Sequence, residues 1–149
     1  MMIAYHEIAT NTPLLNAKEW SQMTAPKFFI CKKCGNIVGM VVDSKMPITC
    51  CGQEMQELVP NTTDAAKEKH VPVICPDGNL VYVQIGSTDH PMLEEHYIEW
   101  VYLQTEQGGQ RKLLYPGHKP QVVFALTPGD KPLAAYAYCN LHGLWLAKV

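Results

Sequence analysis

The sequence lacks any apolar run long enough to cross a bilayer; its longest are strand-sized, so no helical membrane span is expected. Its first ten residues lack the apolar core of a signal peptide and carry His6 and Glu7 instead, which predicts a protein kept in the cytoplasm. An excess of one charge is also missing. Twelve basic residues face 14 acidic ones for a formal charge of −2, so neither nucleic acid nor an anionic membrane is an expected partner. There is no internal repeat, no low-complexity segment and little sustained helical periodicity. What remains is globular. In 149 residues, 47% are hydrophobic, enough to pack one ordinary domain or a small domain beside a larger one.

Cysteine is the residue in surplus. Six occur, at 31, 34, 50, 51, 75 and 139, and four of them fall within 31–51. In a reducing compartment such clustering points to metal rather than disulfides. Residues 27–60 carry CKKCG at 31–35 and TCCG at 49–52, between short strand-like stretches at 28–30 and 37–42. A CxxC turn converges two sulfurs, and the glycine after each pair allows the tight backbone beyond. So short a piece has little core of its own, and a metal would staple it. A four-cysteine zinc knuckle fits this spacing as well. Adjacent Cys50 and Cys51 cannot offer the bite of a CxxC turn, which predicts a splayed pair and a distorted tetrahedron. Cys75 fits no donor group and reads as a buried or strand-edge thiol.

Around this unit the chain divides into three. Residues 1–26 form an extension in which Thr12 before Pro13 resembles a helix start, with Leu14, Leu15, Ala17 and Trp20 on one face. That is a docking helix or a partner-contacting arm. After 27–60, a polar stretch at 61–66 serves as linker, and 61–149 changes to short strands punctuated by turns. Strands are expected at 80–85, 121–126 and 133–138, and a hairpin pairs 97–105 with 110–115 around Gly108-Gly109. This texture predicts an all-β sandwich.

At the end of the last of these strands lies CNLHGLW, residues 139–145. Cys139 sits at the strand end and His142 on the turn that follows, so a thiolate and an imidazole can aim at one point. A CxxH pair alone is a weak signal. Of the six histidines, His70, His90 and His96 also fall on loops or strand edges, where the loops of one sandwich end cluster, while His6 and His118 have no such company. The set is four nitrogens and one sulfur. A blue-copper site would need a weak axial methionine, and none follows His142. Zinc favours four ligands and five are offered. Iron, with a sixth position open, suits the count better.

Read together, CKKCG, TCCG, EKHVPVI at 68–74, HPM-x3-H-x-IEW at 90–100 and CNLHGLW resemble desulfoferrodoxin, the two-iron form of superoxide reductase, from about residue 27 to the end. The resemblance implies a small desulforedoxin-like domain over 27–60 followed by an immunoglobulin-like β-sandwich over 61–149. It implies one iron held by Cys31, Cys34, Cys50 and Cys51. A second iron would take His70, His90, His96 and His142 in a plane with Cys139 axial, and superoxide would be reduced to hydrogen peroxide at the open position. By the same resemblance Lys69 steers the anion and helps deliver a proton, and Glu68 fills the vacant position once peroxide leaves. Trp100 and Trp145 read as packing near the site or as core. A rubredoxin-like electron donor and a homodimer are expected. The alternative is a non-catalytic iron or zinc metalloprotein acting as an electron carrier, and a dismutase is the nearer enzymatic rival.

Overall fold

The computed structural model describes residues 25–149. The helix expected after Thr12 lies outside the described residues. The strands are β1 (Phe28–Ile30), β2 (Ile37–Gly39), β3 (Thr49–Cys50), β4 (Gln53–Glu54), β5 (Gln56–Glu57), β6 (Pro72–Asp77), β7 (Leu80–Ile85), β8 (Ile98–Thr105), β9 (Gly108–Leu113), β10 (Gln121–Ala125), β11 (Pro132–Cys139) and β12 (Gly143–Lys148). Among the described residues the one helix is a single turn, α1 (Lys67–His70).

Strands β10-β7-β6 make one sheet and β12-β11-β8-β9 the other. Their inner faces enclose the main core. In β7 the alternation is strict: Val81, Val83 and Ile85 are buried while Tyr82 and Gln84 face solvent. Val122 and Phe124 of β10 lie beside them, and Val101, Leu103, Ala135 and Ala137 face them from the opposite sheet. This is the expected sandwich.

Strand β11 has a second buried face. Ala134, Tyr136 and Tyr138 point away from the sandwich core and join Trp100, Leu144 and Phe28 in another cluster, with Ile30, Ile37 and Leu58 at its edge. Phe28 lies 4.9 Å from Trp100 and 5.5 Å from Tyr102 between ring centroids, and Trp100 stacks on Tyr138 within 6° of parallel. The sheet β2-β1-β5 is thus held on the outer face of the four-stranded sheet by apolar contact. Each large side chain buried there contributes about 1.5–3 kcal/mol. Covering both faces also explains why 133–138 reads as one continuous apolar run rather than an alternating strand.

Several expected boundaries shift. The hairpin expected over 97–115 turns at Glu106 and Gln107, not around Gly108-Gly109, and both glycines belong to β9. Gly109 is needed because the Tyr102 ring lies over it, so that a Cβ would run into the Tyr102 hydroxyl. The strand expected over 37–42 stops at Gly39, and Val41 and Val42 are exposed. Strands β6 and β12 were not anticipated. Pro72 and Pro76 disguise β6, which tolerates them because it is the edge of its sheet.

Candidate metal centres

The four-sulfur cluster is a product of local turns. Cys31 follows β1 directly, and the turn back into β2 is closed by the Gly35 amide donating to the Cys31 carbonyl at 2.8 Å. Cys50 ends β3, and Cys51 and Gly52 form the turn into β4. In an extended chain adjacent side chains point to opposite faces. Here Cys51 adopts φ +54, a left-handed conformation that L residues rarely take, and both sulfurs swing to one side. Cys34 and Cys50 sulfurs are 3.7 Å apart, and those of Cys50 and Cys51 are 3.9 Å apart. A tetrahedral ion with bonds of about 2.3 Å to sulfur has edges of about 3.8 Å. The adjacency of the two cysteines is therefore absorbed mainly in the Cys51 backbone.

The Cys34 amide lowers the Cys31 thiol to about 7, while hydrogen bonding with Cys34 pushes Cys51 up to about 12. Without a cation, then, the Cys31 sulfur gives up its proton readily while Cys50 and Cys51 resist. A cation relieves that competition by taking all four as thiolates.

The second cluster is assembled from four distant places. His70 closes α1, His90 and His96 flank a loop between the two sheets, and Cys139 and His142 stand at the end of β11 and on the turn into β12. Five ligand atoms, one from each, lie within 4.8 Å of one another. The imidazoles form a square. Going round it, centroids are 4.6 Å (His70–His90), 4.6 Å (His90–His96), 4.9 Å (His96–His142) and 4.7 Å (His142–His70) apart, each pair within 15° of perpendicular. His70 and His96 face each other across the diagonal at 6.2 Å.

Backbone carbonyls set the tautomers. His70 Nδ1–H donates to the Ala66 carbonyl at 2.7 Å and His90 Nδ1–H to the Pro91 carbonyl at 2.6 Å. Because a carbonyl only accepts, Nε2 of each ring carries the free lone pair. Nε2 of His90 and of His96 are buried with no protein partner, a costly state unless a cation takes the lone pair. His70 Nε2 stands 2.9 Å from His142 Nδ1. Two nitrogens bound at right angles about 2.1 Å from one ion would stand about 3.0 Å apart. The donors fit iron: four neutral nitrogens, three through Nε2 and one through Nδ1, and one sulfur.

Burial holds His70, His90 and His96 below the usual histidine range, His90 down to about 4. All three are neutral near pH 7, as ligands must be. Burial pushes the Cys139 thiol up, and the amides of Leu141 and His142 pull it back. A β-bulge aims this sulfur. Tyr138 pairs with Trp100 but Cys139 pairs with Ile98, which leaves Glu99 as the extra residue in β8.

Two supports went unrecognised in the sequence. The Asn140 side chain accepts from the Tyr97 amide and donates to the Glu95 carbonyl, both at 3.0 Å, tying the Cys139–His142 turn to the loop that holds His96. Its only sequence signal was its place inside CNLH. The carbonyls of Ala66 and Pro91 had none. Trp145, fully buried, stacks on His70 at 4.8 Å, so its role is ligand support as well as core. Trp100 belongs to the outer cluster. Glu68 and Lys69 are exposed on α1 beside His70, and their charges reach the imidazoles: after larger contributions led by burial, Glu68 raises His70 and Lys69 lowers His96. Cys75 is exposed on edge strand β6, and His118 packs on Tyr115; neither joins a cluster. His6 lies outside the described residues.

Known proteins resemble this chain in sequence and fold. The desulfoferrodoxin family model matches residues 62–148. A desulfoferrodoxin homolog of Archaeoglobus fulgidus is 49% identical over 77% of this chain and 90% of its own length. The desulfoferrodoxin of Nitratidesulfovibrio vulgaris is 42% identical over 82% and 95%. Among solved structures, the superoxide reductase from Treponema pallidum is 41% identical and superposes with a TM-score of 0.71, covering 83% of this chain and 98% of that one. With both donor clusters assembled and nearly the whole length of these relatives matched, the chain belongs to the desulfoferrodoxin family.

Proposed function

We propose that this chain is a superoxide reductase, taking superoxide, one electron and two protons to hydrogen peroxide. The observation that carries the reading is the square of four imidazoles with the buried Cys139 sulfur beside it. The Treponema pallidum relative is a superoxide reductase by name, and this chain matches almost all of it. Iron held there by His70, His90, His96, His142 and Cys139 supplies one-electron reduction when bound, with the thiolate adding electron density. Four neutral imidazoles add no negative charge, so an anionic substrate is not repelled. His96 and His142 are partly exposed, which gives that substrate a way in. Lys69 draws superoxide toward the site and orders water for proton delivery, and Glu68 covers the site after peroxide departs.

Cys31, Cys34, Cys50 and Cys51 would hold the other iron, so that 27–60 is the four-sulfur domain and 61–149 the catalytic one, with 1–26 as an extension. A rubredoxin-like protein donates the electrons, and the protein works in the cytoplasm. No helix among the described residues is long and apolar enough to cross a membrane. It works as a homodimer.

The test is stoichiometry. Iron-loaded, pre-reduced protein mixed anaerobically with superoxide should form one peroxide per superoxide and release no dioxygen. A dismutase would release dioxygen and form half as much peroxide. A colourless protein holding only zinc after iron-supplemented anaerobic expression would instead favour the non-catalytic alternative.

A further inference from the structure

The pair Glu68-Lys69 sits on a helix too short to hold itself. One turn is far below the length at which a helix is stable alone. Ala66 gives α1 no side-chain cap. Glu68 and Lys69 make no side-chain hydrogen bond or ion pair among the described residues. The position of both charges therefore depends on what grips the backbone beneath them.

That grip comes from the turn at 86–89, which follows β7. The Thr88 amide donates to the Glu68 carbonyl at 2.9 Å, the Ser87 hydroxyl donates to the same oxygen at 3.3 Å, and the Gly86 amide donates to the Val71 carbonyl at 3.2 Å. Gly86 is buried with φ +84, which favours glycine. A Cβ there would lie 2.7 Å from the Glu68 carbonyl oxygen and 2.8 Å from the Lys69 carbonyl carbon, and would collide with the Thr88 carbonyl oxygen. Two of those atoms belong to the Glu68-Lys69 backbone itself, so no flexible side chain can yield. The turn is in turn anchored on the sandwich: the Ile85 amide donates to the Pro120 carbonyl at 2.7 Å, and the Gln84 side chain donates through Nε2 to the Asp89 carboxylate at 3.0 Å. The next residue is His90.

We propose that residues 86–88 are a positioning element for the reaction, with Gly86 as its key residue: the turn holds the Glu68-Lys69 backbone and so sets where the Lys69 charge stands. The inference rests on the superoxide reductase reading. Its physical logic is that a long lysine side chain is steered by its Cα when nothing else holds it, and that attraction falls with distance and with salt.

The test is a double-mutant cycle. Gly86→Ala should lower the second-order rate constant for superoxide about five-fold at low ionic strength, and should flatten its salt dependence. The visible spectra of both iron centres should stay as they are. In a Lys69→Ala background the same substitution should change the rate less than about two-fold. An equal loss in both backgrounds, or loss of the His/Cys iron spectrum, would overturn the proposal, because the turn would then serve the metal or the fold. Ser87→Ala, which removes one hydrogen bond and adds no strain, covers the case of a Gly86 variant that fails to fold. In the iron-loaded protein it should speed amide exchange across 66–71 several-fold, read by mass spectrometry, with β8 and β11 unchanged. Unchanged exchange there would show that the tether does not hold the segment. If the unmodified protein does not reduce superoxide, the functional reading falls, while the exchange measurement still judges the tether.

Discussion

The two donor clusters are built by opposite means. The four-sulfur cluster draws all its ligands from 31–51, on tight turns, with three of its four cysteines at least partly exposed and one, Cys51, in a strained backbone conformation. The cluster of four histidines and one cysteine spans 70–142, with His70, His90 and Cys139 buried and its rings fixed by carbonyls, Asn140 and Trp145. A site made by turns needs a metal to keep its shape. A site made at the end of a packed sandwich is shaped beforehand, with lone pairs already aimed, and that is what an open position for chemistry requires.

Removing the sulfur of the pre-shaped site should have the largest effect. Cys139→Ser should lower superoxide reduction beyond the roughly 100-fold ceiling of changes that only support ligands. The sulfur-to-iron absorption of that centre should vanish while the four-sulfur spectrum persists. Loss of both spectra would mean that the clusters are not independent.

Next in size is the support. Asn140→Ala removes the bridge between the His96 loop and the Cys139–His142 turn. Iron affinity at that centre should fall about 10- to 100-fold in chelator competition, with the four-sulfur centre unaffected. An unchanged affinity would show that the sandwich alone shapes the site.

A shaped cavity has a cost that acid reveals. Buried His90 titrates near 4 where an ordinary histidine titrates near 6.5, so below about 6.5 the unfolded chain binds a proton that the folded one does not. Protein stripped of metal should keep its full stability above that pH and lose about 2–3 kcal/mol by pH 4 from this group. Denaturant unfolding at pH 7.5 and 4.5 measures it. A stability that does not decline would mean that the cavity opens when the metal leaves.

Lys69→Ala should slow superoxide reduction several-fold at low ionic strength, and the deficit should shrink as salt screens the wild-type charge. Stopped-flow rates over a salt series provide the check; equal rates at low salt would remove Lys69 from the mechanism. The smallest effect is expected at the turn-built site. Cys51→Ser should bleach the four-sulfur spectrum yet change the rate with superoxide less than about two-fold, since no ligand of the other cluster lies in 31–51. A larger loss would couple the two centres.

How much of this was legible followed from separation along the chain. Cys31, Cys34, Cys50 and Cys51 could be read as one site because turns bring near neighbours together whatever the rest of the fold does. The apolar and aromatic run at 133–138 placed Cys139 at a strand end, and the turn residues after it placed His142. His70, His90 and His96 were legible only as a count of spare donors and through the family pattern. Nothing local says that residues 72 positions apart will stand 2.9 Å from each other, as His70 and His142 do. The hairpin turn was misplaced because Gly108 and Gly109 look like a turn, whereas Gly109 makes room for Tyr102.

The sequence alone determined the donor inventory, the all-β texture and the local four-sulfur turns, because these depend on residue type and on spacing within a few positions. The tertiary structure decided the rest. It buried the second face of β11 under the small sheet, placed the bulge at Glu99 beside Cys139, and closed four rings into a square. Those features depend on the register and packing of strands far apart in the chain, which local chemistry does not specify.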